Sequence, residues 1–165
     1  ERLAFSPQPV NLTVCVKQVV ADLVTQYPDV CHRLRTSLPE GDPVACLDDS
    51  LLRDVLGNLL NNAVKYSPEG GDIELAVLPS EKGWMFTVTD HGIGIPEHEL
   101  PHVFESFHRA SNVGAISGTG LGLAIVKRAV DLHRGQLSVT SHGGQTTFTV
   151  LLPECLPAQT PLERD

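Results

Sequence analysis

Apolar residues recur along this chain with two alternating periods, one near 3.6 and one of 2, and the switches between them mark out the elements. Pro7 and Pro9 read as linker, and Asn11 behind them can cap a helix. Leu12, Val16, Val19, Val20 and Leu23 then recur at helical spacing as far as Tyr27, where Pro28 ends the run. The stretch from Cys31 to Leu38 alternates like a strand. A second short run, Val44 to Leu47, leads into Asp48 and Asp49 at the start of a long helix, whose Leu52, Val55, Leu56, Leu59, Leu60 and Ala63 form one stripe. The turn SPEGG at 67–71 stops it.

Ile73, Leu75 and Val77, then Trp84, Phe86 and Val88, alternate with period 2 on either side of a turn at Glu81 to Gly83, which predicts a hairpin ending at Asp90. A short helix is expected around Glu97 to Phe104, followed by a weakly patterned stretch from Ala110 to Gly120. A helix from about Leu121 to His133 closes with Gly135 in a C-cap position. Strands near Leu137 to Ser141 and Thr146 to Leu152 complete the pattern. Helices clustered between strand runs, with hairpin signals among the strands, predict a two-layer α/β sandwich with a mixed sheet.

At 165 residues, with 41% hydrophobic and 19% charged residues, the chain fits one globular domain. Its net charge of -8 argues against a nucleic-acid partner, which demands a basic face. Cys15, Cys31, Cys46 and Cys155 show no metal-site spacing and read as reduced thiols of a cytoplasmic domain. No apolar run reaches bilayer length, and ERLAFSPQP lacks the apolar core of a signal peptide. The expected organisation is a linker over 1–10 from an upstream domain, a compact domain over 11–153 and a flexible tail over 154–165.

Three places carry candidate chemistry. Asn58 and Asn62, four apart on the long helix, share a face with Lys65, and Tyr66 follows; amide oxygens, an ammonium and an aromatic edge suit a divalent cation, a polyphosphate and a base. Asp90 ends a strand and precedes Gly92 and Gly94, which let backbone pass close to a flat ligand. Gly118, Gly120 and Gly122 stand immediately before a helix, so backbone N–H groups and the positive helix end can face an anion. No lysine follows these glycines as it would in a P-loop, and Lys65 can supply the charge instead.

In order, NLLNNAVKYS at 58–67, DHGIGIP at 90–96, FESFHR at 104–109 and GTGLGLAI at 118–125 resemble the N, first-glycine, F and second-glycine boxes of the ATP-binding catalytic domain of sensor histidine kinases. That domain belongs to a superfamily with gyrase, the heat-shock chaperones and the mismatch-repair ATPases, and the resemblance runs from about Asn11 to Pro153. It implies a Bergerat-type fold, a mixed and mostly antiparallel sheet on about three helices, with ATP and Mg²⁺ as ligands. By the same resemblance Asn62 coordinates Mg²⁺, Asn58 assists, Lys65 reaches the phosphates, and Asp90 accepts a hydrogen bond from the adenine amino group. Tyr66, Gly92, Ile93, Gly94 and Ile95 would stand around the base, with Gly118, Thr119, Gly120, Leu121, Gly122 and Leu123 around the phosphates. Arg109 would act at the edge of a lid over 110–120, with Phe104 and Phe107 as its anchors. GGQTTF at 143–148 resembles a last glycine box, with Gln145 where a glycine is usual, so Thr146 is a qualified member of the adenine site.

Hydrolytic branches of the superfamily carry a glutamate where this chain has Asn58, and an amide is no general base at neutral pH. This argues against rapid hydrolysis and against the serine-kinase branches. HRLRTSLP at 32–39 and HELP at 98–101 superficially echo the phosphoacceptor motif, but neither His32 nor His98 sits on the long helix it needs. The resemblance therefore implies a catalytic domain that transfers the γ-phosphate to a histidine on a separate dimerisation domain. The parent would be homodimeric and cytoplasmic or membrane-anchored, acting on a downstream response regulator. The alternatives are a nucleotide-sensing module of the same fold without phosphotransfer, or a serine kinase or ATPase of the superfamily.

Overall fold

The computed structural model describes residues 4–68, 70–114, 118 and 120–155. Strand β1 (Gln8–Asn11) runs directly into helix α1 (Leu12–Gln26), which Asn11 caps by accepting a hydrogen bond from the Val14 N–H at 3.0 Å. The segment expected to be linker is therefore ordered in part: β1 pairs antiparallel with β3 (Val44–Leu47), Gln8 opposite Leu47, in a two-stranded ribbon. Linker-like prolines do not preclude this, because Pro9 sits in a short ribbon with little ladder to interrupt.

The strand expected over Cys31 to Leu38 is shorter than its alternation suggested. Pro28 opens a single 3-10 turn, Pro28–His32, and only β2 (Leu34–Ser37) is extended. Helix α2 (Asp49–Lys65) starts at Asp48, whose Oδ1 accepts from the Leu51 N–H at 3.0 Å. Strands β4 (Ile73–Ser80) and β5 (Gly83–Asp90) form the predicted hairpin. A 3-10 helix, Glu97–His102, replaces the short α-helix expected there, with Pro101 inside it. Helix α3 (Gly122–Leu132) and strands β6 (Gln136–His142) and β7 (Gln145–Leu152) complete the chain.

The main sheet has five strands in the order β2-β4-β5-β7-β6, with β2 parallel to β4 and every other pair antiparallel. This is the mixed, mostly antiparallel sheet expected, packed on three α-helices among the described residues. Ile73, Leu75, Val77, Phe86, Val88, Val150 and Leu152 from the sheet and Leu12, Val16, Leu52, Val55, Leu56, Leu59 and Leu60 from the helices form one buried cluster. Each of the six stripe residues of α2 is buried in it. Burying side chains of this size contributes about 1.5–3 kcal/mol apiece, which outweighs helix propensity as the reason α2 lies where it does.

Buried His133, just past α3, fastens the helices at the end away from the glycines. Its Nε2 accepts from the Asp48 N–H at 3.1 Å, which leaves Nδ1 to donate to the Ala129 carbonyl at 2.9 Å. At the other end, α2 delivers Lys65 and Tyr66 beside the end of β5, and that corner holds the candidate site.

Candidate functional site

A single cavity of about 450 Å³ joins the three places singled out by the sequence. From α2 come Asn58, Asn62, Lys65 and Tyr66; from the end of β5 and its turn, Asp90, Ile93, Gly94 and Ile95; from the start of α3, Gly118, Gly120, Leu121, Gly122 and Leu123. Arg109 and Thr146 also line it. Its volume suits a nucleotide-sized ligand, since small-molecule sites typically measure about 300–1,000 Å³. Thr119, expected among the phosphate contacts, lies outside the described residues.

Asp90 is 6% exposed at the floor of the cavity. Its Oδ1 accepts from the Gly92 N–H at 3.0 Å and lies 3.5 Å from the Ser67 hydroxyl. Burial raises this carboxyl above the ordinary carboxylate range, and the Gly92 N–H, His91 and Ser67 pull it back. The turn that carries Ser67 is clamped by Arg33, which donates to the Ser67 and Gly71 carbonyls at 3.2 and 3.0 Å.

Thr146 faces Asp90 across the β5–β7 register and is 3% exposed. Its hydroxyl lies 2.9 Å from the Ser141 hydroxyl, which accepts from the Ile95 N–H at 2.9 Å. At the Gln145 departure the turn is made by Gly143 and Gly144, both at positive φ, and Gln145 opens β7 as an ordinary exposed strand residue.

The Cβ position at Gly92 is filled from within the chain. A Cβ there would stand 1.8 Å from the Tyr66 carbonyl, so the glycine admits the end of α2, and Ile93 N–H donates to that same carbonyl at 2.9 Å. Gly94 is the turn glycine that reaches the cavity, at φ +73°. Phe104 packs edge-on against Phe148 as an anchor should. Phe107 is instead 73% exposed at φ 63°, because its backbone is pressed against Gly120, whose carbonyl accepts the Phe107 N–H at 2.9 Å.

The start of α3 differs from the other two helices. Asn11 and Asp48 cap α1 and α2, whereas the N-cap position of α3 holds Leu121, whose apolar side chain cannot accept a hydrogen bond. Its first-turn N–H groups have no acceptor within the helix and lie at the cavity wall, together with the positive end of the helix dipole. Gly122 keeps that wall open: a Cβ there would stand 3.0 Å from Asn58 Oδ1 and 3.9 Å from Asn62 Oδ1.

Sequence reasoning missed other members of the lining. Asn61, Val103, His108, Ile125 and Phe148 all touch the cavity. Asn61 Oδ1 and His108 Nε2 are buried without a hydrogen-bond partner among the described residues. Asn61 lay inside a quoted motif, and only its place on the helix face beside Asn58 and Asn62 could have flagged it. Phe148 lay within the strand expected over Thr146 to Leu152, and its place at the cavity needs the third dimension.

Residues 47–155 match the family described as histidine kinase-, DNA gyrase B-, and HSP90-like ATPase. The chain belongs to this family. It is 34% identical over 145 residues to the adaptive-response sensory kinase SasA of Nostoc sp., covering 86% of this chain and 36% of that kinase. Over 122 residues it is 38% identical to the sensor histidine kinase WalK of Bacillus subtilis, covering 71% of this chain and 20% of WalK. The chain thus spans well under half the length of these relatives. Among solved structures it superposes on the mycobacterial sensor histidine kinase MprB with a TM-score of 0.77 at 30% identity, covering 89% of this chain and 98% of that one. Full-length ShkA in complex with AMPPNP gives the same TM-score at 27% identity, covering 96% of this chain and 33% of ShkA. The fold is therefore that of an ATP-binding domain of the two-component histidine kinase type.

Proposed function

We propose that the cavity binds Mg·ATP and presents its γ-phosphate to a histidine of a separate dimerisation domain in a larger sensor kinase. The observation that carries this reading is the meeting, in one cavity, of the buried Asp90 carboxyl with the amide pair of α2 and the glycine-rich start of α3. Asp90 is an acceptor for an amino donor and repels the carbonyl that guanine carries at the equivalent place, so the site selects adenine. Thr146 and the Ser67 hydroxyl complete the polar floor around the base, with Tyr66, Ile93, Gly94 and Ile95 as its walls. The first-turn N–H groups of α3, Gly118 to Leu123 and Lys65 receive the phosphates.

The donor set fits Mg²⁺. Asn58 Nδ2 donates to the Asp54 carbonyl at 2.7 Å, which turns its Oδ1 toward Gly122, where the Asn62 oxygen also converges. Two neutral oxygens at one point suit an ion that takes few protein ligands and completes its shell with phosphate and water. Asn62 would hold the ion with Asn58 assisting, and the ion when bound neutralises developing phosphate charge. Arg109, at the cavity rim, stabilises the transferring phosphoryl group. The substrate histidine, a homodimeric parent, a response regulator and a cytoplasmic setting belong to this same reading; the acidic balance favours no nucleic-acid partner.

Calorimetry tests the nucleotide assignment. ATP should bind far better with Mg²⁺ than without, and better than GTP. Asp90→Asn should weaken ATP by about 10- to 100-fold, the scale of one lost hydrogen bond to a charged group. Asn62→Ala should remove the Mg²⁺ effect while leaving adenosine affinity nearly unchanged. Equal ATP and GTP affinities would sink the reading. Nucleotide binding without any transfer to an acceptor domain would favour the sensing module instead.

A further inference from the structure

Two thiols far apart in sequence meet beside the β1–β3 ribbon. The Cys155 N–H donates to the Cys46 carbonyl at 3.1 Å, and the Cys46 side chain is near enough to the Cys155 thiol to raise its pKa. A direct backbone hydrogen bond keeps two residues close enough in space for their side chains to approach the spacing of a disulfide, whose Cα atoms lie about 4.4–6.8 Å apart. Both cysteines are half-buried, so small oxidants reach them, whereas Cys15 is 1% exposed and Cys31 lies open on the 3-10 turn.

We propose that Cys46 and Cys155 are a thiol-oxidation site, closing to a reversible intrachain disulfide under a hydroperoxide. One thiol, on losing its proton, attacks the peroxide oxygen; the S–O bond forms, the O–O bond breaks, and water or an alcohol leaves. The second sulfur then attacks this sulfenic acid, the S–S bond forms, and water departs with the second thiol proton. Two thiols together lose two protons and two electrons, and the peroxide is reduced. Burial and the neighbouring Cys46 sulfur push the Cys155 thiol up, and Arg134 pulls it back, so proximity rather than a standing thiolate drives the closure and the reaction is slow.

The bond would act on how the chain enters the domain. Cys46 lies on β3 opposite Pro9 of β1, and β3 runs into Asp48, whose Oδ2 accepts from the Ser6 N–H at 2.7 Å. A disulfide fixes the segment after β7 to this same strand pair. The nucleotide cavity is remote from it, at the other end of α2, and neither cysteine lines it.

The test uses the chain in a Cys31→Ser background, which removes the exposed competitor. The protein is treated with hydrogen peroxide, alkylated and digested, and the peptides are identified by mass spectrometry. The expected result is a Cys46–Cys155 cross-linked peptide, a loss of two titratable thiols, and a Tm at least about 5 °C higher, since the bond closes a long loop. Dithiothreitol should reverse all three changes, and either Cys46→Ser or Cys155→Ser should prevent them. Cys46 and Cys155 recovered as separate alkylated or singly oxidised thiols would overturn the proposal.

Discussion

Burying the Asp90 carboxyl costs the empty domain stability, because the Gly92 N–H and Ser67 hydroxyl replace only part of its hydration. Its folded pKa is raised by that burial, so its contribution to stability is fully present below the unfolded value near about 3.9 and is lost as pH rises through the folded value. At neutral pH the ionised group therefore opposes folding. Asp90→Asn should raise Tm at pH 7 by about 2–4 °C, equivalent to about 1 kcal/mol, while it weakens ATP. The gain should shrink toward zero as melts are repeated down to pH 4. A variant less stable than the parent at pH 7 would show that the carboxylate serves the fold as well as the ligand.

At the scale of elements, the end of α3 shows how a correct signal can be placed one residue off. Gly135 follows the helix as a C-cap glycine should, yet the residue in the left-handed region is Arg134, at φ 55°. The Arg134 N–H donates to the Asp131 carbonyl and the Gly135 N–H to the Val130 carbonyl, both at 2.9 Å, which is the Schellman pattern. Gly135 is small for a different reason: a Cβ there would stand 2.3 Å from the Leu151 carbonyl. Arg134→Gly should stabilise the domain by about 1 kcal/mol and Gly135→Ala should destabilise it by about 1–3 kcal/mol, read as opposite Tm shifts.

The segment after Arg109 is likewise tied down by particular side chains. Ser111 N–H donates to both Glu99 carboxylate oxygens at 3.0 and 3.1 Å, and Asn112 Nδ2 donates to the Gly94 carbonyl at 2.9 Å. These bonds are solvent-exposed, so residues 110–114 should exchange amide hydrogens faster than α2 in the empty domain and more slowly with an ATP analogue and Mg²⁺. Glu99→Ala should speed the exchange further. Protection equal to that of α2 without nucleotide would show a rigid lid.

For the whole molecule, the proposed division of labour has a direct readout. Alone, the chain should bind ATP without phosphorylating itself or turning over rapidly, since Asn58 stands where a general base would be needed. Mixed with the dimerisation domain of its parent, it should place acid-labile phosphate on that domain's histidine. Asn62→Ala should abolish the transfer, and Arg109→Ala should lower transfer more than it lowers ATP binding if it acts on the transferring group. Brisk hydrolysis by the lone chain, or stable label on His32 or His98, would reverse the assignment.

Local periodicity and end signals were enough to determine the three α-helices and the β4–β5 hairpin, because each depends on residues within a few positions of one another. The Asn11 and Asp48 caps, the α2 stripe and the alternation of β4 and β5 are of this kind. The motifs likewise pointed to Asn58, Asn62, Lys65, Tyr66 and Asp90, which the fold brings to one cavity. Tertiary structure alone decided what depends on contacts between distant segments. Gly92 is needed for the Tyr66 carbonyl, Thr146 reaches Asp90 through strand register, Gln8–Asn11 becomes a strand because β3 offers an edge, and Cys155 finds Cys46. A sequence pattern encodes which face of an element is apolar; which remote backbone that face meets is set only when the elements pack.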